Sequence, residues 1–387
     1  MTHPLKIVHC LRAPVGGLFR HVCDLARGQS ALGHHVGIIC DARIGDDLNE
    51  HTLEEITRYC ALGVHRYKMH RAISVSDIAT AQQIRSLCHT LGADIAHGHG
   101  AKGGAYARFA ALGHALKVFY TPHGGSLHYS KSSPSGFVFL TLERLLGRLT
   151  DGLIFESRYG FDVYCRKVGT PLCKARVIHN GLCPAEFEPV PVRGDAAQFL
   201  YVGELRLLKG IDVFLQALSH VSKSRDVSAV IVGSGPDAEA LGDLAHDLKL
   251  GSKVSFPGPM PARQAFALGH TLVVPSRAES FPYIVLEALA AAKPTLATNV
   301  GGIPEMFGAK ASLLVEPDDA TALAGAMQRS LDAPDHENEA SRQLAQAVSN
   351  RFTVETMVTA INGFYHEILA GSGTAVTPLS ASRSAAE

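Results

Sequence analysis

Two glutamates eight residues apart, Glu279 and Glu287, stand in the run Pro275-Ser-Arg-Ala-Glu-Ser-Phe-Pro-Tyr-Ile-Val-Leu-Glu-Ala-Leu. The first falls in a turn-like stretch after an apolar run, and the second inside a run that reads as a buried helix. A loop carboxylate and another about two turns further on can meet at one helix end and face one ligand. An ionised carboxylate only accepts hydrogen bonds, which suits the hydroxyls of a ribose or a hexose. Solvated surface charge is the competing reading, and spacing alone does not separate the two.

Two cations stand upstream of the glutamates. In Tyr201-Val-Gly-Glu-Leu-Arg-Leu-Leu-Lys-Gly210 an apolar strand reaches Gly203, and Arg206 and Lys209 then precede a helix. Arg206 can fork onto two phosphate oxygens and Lys209 adds a point charge, so the pair makes a diphosphate clamp, or else a solvated basic loop. Glycine corners follow three further strands: Gly16-Gly17, Gly233-Ser234-Gly235 and Gly301-Gly302. Glycine lets backbone amides approach a ligand, and a helix N-terminus favours an anion. The first pair does not make a G-x-G-x-x-G motif, so a dinucleotide reading is weak. Thr121-Pro-His123-Gly-Gly125 puts an imidazole on a glycine-flanked loop, where it can touch a sugar, move a proton or serve structure. His97-Gly-His99 has no carboxylate at ligand spacing and makes a poor metal site, so no metal is expected. Asp46-Asp47 and Asp318-Asp319 read as solvated pairs.

The elements that must carry these residues alternate. Lys6–Cys10, Val36–Cys40, Ala93–His97, Lys117–Thr121, Gly152–Phe155 and Arg176–Ile178 read as strands. Leu18, Val22, Leu25 and Leu32 mark one face of the first helix, which Gly33 stops. Pro189-Val-Pro-Val-Arg-Gly194 reads as a linker. A second alternating series follows, with strands at Phe199–Val202, Ala229–Val232, Val254–Phe256, Leu272–Val274, Thr295–Ala297 and Ser312–Val315, and a last helix over Thr353–Leu369. This predicts an α/β chain of two Rossmann-like domains, 1–188 and 195–350, with ligands held at the carboxyl ends of both sheets, in a cleft. A helix over 353–369 and a disordered Ser/Ala/Thr-rich tail, 371–387, complete the reading.

The bulk numbers agree with such a chain. Its 387 residues, 46% apolar and 19% charged, are those of a globular protein large enough for two cores. No membrane span or leader pattern is legible, which predicts a cytoplasmic location. All eight cysteines precede residue 184 with no C-x-x-C pair and read as thiols in a reducing compartment. Residues 1–190 carry 21 Lys+Arg against 15 Asp+Glu, and the remainder 15 against 21. The basic half could meet a phosphate-bearing acceptor or an anionic membrane surface. The stretch Phe137–Arg148, apolar with arginines, reads either as a core helix or as a membrane-facing one. No basic patch interleaved with aromatics points to nucleic acid.

Taken in order, these motifs resemble the retaining glycosyltransferases of family 4, with the GT-B fold of two Rossmann-like domains. The resemblance runs from Lys6 to about Leu369, and E-x7-E is its most specific element. It implies that Glu287 holds the ribose of a nucleotide-sugar donor, a UDP-sugar first, and that Glu279 holds the transferred sugar. It gives the diphosphate to Lys209, with Arg206 and the amides of Gly16 and Gly17. Gly203, Gly233, Ser234, Gly235, Ser280, Phe281 and Tyr283 would line the donor, and His123 would lie near the transferred sugar. It implies no cofactor and no metal, a glycan or lipid-linked acceptor of a bacterial envelope polysaccharide, and a last helix crossing back to the first domain. Two departures stand out. Glu204 occupies the place where the family often has arginine, so Arg206 would take over its contact. Pro282 replaces a more usual glycine and removes one backbone donor. A nucleotide-sugar 2-epimerase and a non-catalytic nucleotide-sugar sensor are the rival readings.

Overall fold

In the computed structural model, which describes residues 3–43, 47–72 and 74–371, twelve parallel strands form two sheets. The side chains of 47–49, 126 and 128 are outside that description, as are Asp46 and the tail 372–387, so the readings of Asp46-Asp47 and of a disordered tail fall outside the described residues.

The first sheet holds β1 (Lys6–Leu11), β2 (His35–Asp41), β3 (Val64–Tyr67), β4 (Ile95–His99), β5 (Lys117–Thr121), β6 (Gly152–Phe155) and β7 (Lys174–Val177), in the order β3-β2-β1-β4-β5-β6-β7. Chain order reverses between β1 and β4, and that switch point is where an open parallel sheet leaves a crevice at its carboxyl edge. Ile7, Val8, Ile38, Ile39, Ala96, Val118 and Phe119 are wholly buried, as strands covered by helices on both faces require. The helix Gly16–Ala31 begins at the expected glycine pair, and Gly33, with φ of +84°, ends it. Its buried stripe runs through Phe19, Val22, Leu25 and Ala26, whereas Leu32, expected on that face, is 55% exposed. The short strand β3 escapes sequence patterning because Val-His-Arg-Tyr sits at the sheet edge and buries no continuous apolar face. From Val358 on, the last helix (Val354–Leu369) belongs to this unit. It packs Phe364 and Tyr365 on Phe119, and Val358 against Gly28, where a Cβ would lie 2.6 Å from a valine methyl.

The second sheet holds β8 (Ala197–Val202), β9 (Ala229–Val232), β10 (Val254–Gly258), β11 (Gly269–Val274) and β12 (Thr295–Ala297), ordered β10-β9-β8-β11-β12, with its switch point between β8 and β11. One face packs Phe199, Ile211, Phe214, Leu218 and Met327; the other packs Leu200, Leu272, Leu286, Ile303 and Phe352. Ser312–Val315 is no strand. Gly308–Leu313 is a 3-10 turn with Leu313 half exposed, and only Val315 bridges to Thr298.

This unit comprises Glu156–Asp162 and His179–Met357. The Pro189–Gly194 segment therefore lies inside it instead of between domains. Backbone bonds of Leu182 to Phe352 and Val354 bind the preceding residues to it, the bond of Arg193 to Ala267 binds the segment itself, and Val190 packs on its core. Among the described residues no helix is long and apolar enough to cross a membrane, and all eight cysteines are free thiols.

Candidate functional site

In the second unit the loops leaving β8, β9, β11 and β12 interlock through their backbones. Gly203 donates to Val232 O, Leu205 to Ser234 O, Arg277 to Leu208 O and Gly302 to Ser280 O. Glycine is needed at two of these crossings. Gly210, at φ +69°, has room only for hydrogen, since a Cβ would lie 1.9 Å from Pro275 O. Gly301, at φ +62°, is pressed on Glu279 O at 2.0 Å by the same construction. The corner Gly301-Gly302 thus braces the Glu279 loop, and the Gly302 amide, expected to face a ligand, is spent on Ser280 O. The Gly203 and Gly233 amides are likewise taken, the latter by Gly258 O, whereas Ser234 is exposed.

Glu279 lies in the loop after β11, 9% exposed. Its Oε1 accepts from Lys209 Nζ at 2.8 Å and from Ser276 Oγ at 2.7 Å. Thus the two strands flanking the switch point bring the expected phosphate-binding cation and sugar-binding carboxylate into one ion pair. Lys209 is carried by the 3-10 turn Leu207–Lys209, and Arg277 pins that turn. The Arg277 guanidinium forks onto Asp212 at 2.8 and 2.7 Å, reaches Asp318 at 2.5 Å and donates to Leu207 O. Burial raises the Asp212 carboxyl, but hydrogen bonding and charge from Arg277 outweigh it and hold the group below its ordinary range. Asp318-Asp319 is therefore not a merely solvated pair: Asp318 binds Arg277, and Asp319 caps the helix Ala320–Asp332 through Ala322 N–H.

Arg206 sits exposed just before the turn, with extended backbone, and Glu204 is exposed beside it. Glu287 is half-buried on the helix Tyr283–Ala290, whose Tyr283, Val285, Leu286, Ala288, Leu289 and Ala290 are buried. Pro282 starts this helix without loss, because its carbonyl accepts the first helical bond from Leu286 and a residue at that position needs no N–H partner. Ser280 and Phe281 are held from beneath by two residues that the motifs did not single out. Asn180 Nδ2 donates to Phe281 O and to Glu156 Oε1, both at 3.2 Å, and Ser280 Oγ donates to Glu156 Oε2 at 3.3 Å. Glu305 accepts from the Arg158 and Tyr159 amides at 2.9 Å and bonds His179 at 3.0 Å. Burial works against its charge, yet these partners keep its carboxyl below the ordinary range.

In the first unit Gly16 and Gly17 are exposed at a helix N-terminus, with Gly16 at φ +65°. His123 follows β5 with φ of +50°, unusual for a residue with a Cβ, and is half-buried. It belongs to a cluster of five histidines at the switch point. His9 of β1 pairs in register with His97 of β4, and His99 lies two residues on, so all three side chains project from one face. His21 comes from the helix Gly16–Ala31, with ring centroids 5.0 Å from His123 and 5.6 Å from His99. The sequence reading missed His9 and His21; for His9 the legible signal was an imidazole inside an otherwise apolar strand, and His21, on a helix, carried none. Among the described residues, two histidine triplets, His9–His97–His99 and His21–His99–His123, have nitrogens close enough for a metal ion. However, His97 spends its nitrogens on Tyr365 OH at 2.6 Å and Thr121 Oγ1 at 2.9 Å, and His99 spends its own on His9 and His123, both at 3.0 Å. The ring nitrogens of the His9, His97 and His99 triplet are thus already engaged. Desolvation lowers the His9 pKa to about 4 and those of His97 and His99 well below the ordinary value, so these rings are neutral at pH 7.

Two family models meet end to end on the chain: Glycosyltransferase Family 4 over residues 15–186 and Glycosyl transferases group 1 over 184–348. Glycogen synthase of Mycobacterium tuberculosis is 28% identical over 382 residues, 91% of each chain. D-inositol 3-phosphate glycosyltransferase of Acidothermus cellulolyticus is 29% identical over 424 residues, 99% of this chain and 92% of that one. HepE of Anabaena, solved in complex with UDP-glucose, superposes with a TM-score of 0.79 at 18% identity, covering 94% of this chain and all of that one. With both domains matched and both parallel sheets in place, the chain belongs to the family 4, group 1 glycosyltransferases and has the GT-B fold.

Proposed function

We propose that this glycosyltransferase moves a sugar from a UDP-sugar to a glycan or lipid-linked saccharide with retention at the anomeric carbon. The observation that carries the reading is the Lys209–Glu279 pair at the switch point of the second sheet. In this account the donor divides the pair: its diphosphate takes Lys209 and a sugar hydroxyl takes Glu279. Glu287 holds the ribose hydroxyls. Arg206, exposed beside Lys209, swings onto the diphosphate and supplies the charge that a metal would otherwise bring. Exposed amides at Gly16 and Gly17 offer donors to phosphate oxygens. His123 meets the transferred sugar. As the bond from the anomeric carbon to the diphosphate oxygen breaks, the acceptor oxygen attacks the same face and its proton passes to the leaving phosphate. The UDP-glucose complex of HepE supports a uridine donor, and glycogen synthase supports a glycan acceptor.

The first unit also offers a surface for a lipid-linked acceptor or an anionic membrane. The helix Pro134–Leu146 buries Leu140 and Leu146 but leaves Phe137 67%, Val138 52% and Leu145 52% exposed, with Arg144 and Arg148 exposed near its end. It is neither a core helix nor a fully apolar one.

Retention is tested by proton NMR of slow donor hydrolysis, with an α-linked UDP-sugar and no acceptor. The account predicts α-sugar as the first species released; β-sugar first would overturn it.

A further inference from the structure

We infer that a cavity at the amino-terminal edge of the second sheet binds a phosphate group, as a free ion or on a small phosphorylated sugar, with Lys293 and the Thr271–Ser330 hydroxyl pair as its donors. The residues assigned to the nucleotide sugar follow the carboxyl ends of these strands, so the two sites are separate.

The cavity, of about 440 Å³, lies where β8, β11 and β12 begin, and Gln198, His270 and Pro294 line it there. The end of the helix Ala320–Asp332 and the start of the helix Pro334–Ser349 form further walls. The segment expected to be a linker closes another, through Val190 and Val192. Lys293 also lines the cavity and is only 5% exposed. The chain reaches it through Ala292 at φ of +53°, a conformation that a residue with a Cβ rarely takes. The Lys293 ammonium donates to Phe266 O at 2.8 Å and to Gly269 O at 2.5 Å. An ammonium has three donors, so one N–H is left, and among the described residues no carboxylate pairs with it. Thr271 and Ser330, 6% and 7% exposed, bond each other through their hydroxyls at 3.2 Å. That bond uses one of their two protons and leaves the other for a ligand oxygen.

Burial alone lowers the Lys293 pKa to about 8, because two carbonyls bring no net charge to offset the lost hydration. At pH 7 the group is still a cation, and a buried cation without a counter-ion is costly. A phosphate oxygen supplies both the missing charge and an acceptor for the remaining N–H. The other charged or titratable groups lining the cavity are His270 of β11 and Glu337 and Arg342 of the helix Pro334–Ser349. His270 and Arg342 are exposed, and Arg342 bonds Glu339. Glu337, half-buried, is suited to accept from a hydroxyl of a phosphorylated sugar, for which the cavity has room.

Isothermal titration calorimetry of the full chain at pH 7, with inorganic phosphate and with glucose 6-phosphate, tests the site. At least one probe should bind, and the tighter one names the source of the phosphate. Lys293→Met removes the charge at similar volume, and affinity should fall about 10- to 100-fold, the worth of one charge-assisted hydrogen bond. Lys209→Ala, which strips a cation from the proposed donor site, should keep the binding. Binding of neither probe, or affinity undiminished in Lys293→Met, would overturn the inference. Loss in Lys209→Ala alone would move the phosphate to the donor site and overturn it too. The wild-type chain gives a second reading that depends on no variant folding. From about pH 8 to 9.5 both probes are already dianions while Lys293 loses its proton, so affinity should fall about tenfold per pH unit. An affinity constant across that range would contradict the role of Lys293.

Discussion

At the scale of single residues, the proposed chemistry turns on one shared oxygen. Glu279 Oε1 serves both Lys209 and Ser276, so the charge of the carboxylate matters more than its volume. Glu279→Gln should lower kcat/KM by about 10²- to 10³-fold, as removal of a preorganised electrostatic contact does. The fold should survive, as a thermal melt within a few degrees of wild type would report. Lys209 and Glu279, which the structure pairs, could be singled out in the sequence because each stands in a motif local to one turn or one loop. Glu156 and Asn180 were not, because a residue that holds a loop from beneath leaves no mark in the loop's own sequence. The buried histidines were half legible: His97 and His99 share a strand, but only the parallel register of β1 and β4 adds His9. Their burial gives a pH prediction. Unfolded His9 takes a proton near pH 6.5, while folded His9 refuses it until about pH 4. Its contribution is complete above pH 6.5 and is lost as pH falls toward 4, about 3 kcal/mol for this ring alone. His97 and His99 act in the same direction. Urea midpoints should therefore drop steeply from pH 6.5 to 4; a flat profile would contradict the neutral cluster.

At the scale of elements, glycine corners and one apolar helix position the site. The helix Tyr283–Ala290 is anchored on nearly every side, leaving Glu287 among its few positions that are not buried. Leu286→Ala, in that wholly buried face, should cost about 2–5 kcal/mol in urea unfolding. Gly301→Ala tests the brace on the Glu279 loop. Its Cβ would collide with Glu279 O in a backbone conformation that alanine disfavours. Transfer should fall more than stability does; wild-type transfer would show that the corner does not position Glu279. Strand and helix alternation was legible because buried parallel strands are continuous apolar runs. The edge strand β3 was missed, and the strand expected at Ser312–Val315 was misread, because local apolar content there does not match burial.

At the scale of the whole molecule, two Rossmann-like domains matched by two glycosyltransferase models set the reaction class. The apolar, arginine-flanked side of Pro134–Leu146 predicts binding to vesicles containing anionic lipid at low salt, weakening as salt rises. Substitution of Phe137 and Leu145 by serine should abolish it, and an unchanged vesicle affinity would remove the helix from the account. The central claim is that the second unit holds a nucleotide sugar through Lys209, Glu279 and Glu287. Thermal shift of the full chain against UDP-, GDP- and ADP-sugars tests it most directly, since a ligand that binds only the folded state raises the melting temperature with concentration. The account predicts saturable stabilisation by a UDP-sugar that is lost in Lys209→Ala and in Glu287→Ala. Stabilisation by none of the nucleotide sugars, or stabilisation undiminished in both variants, would contradict it.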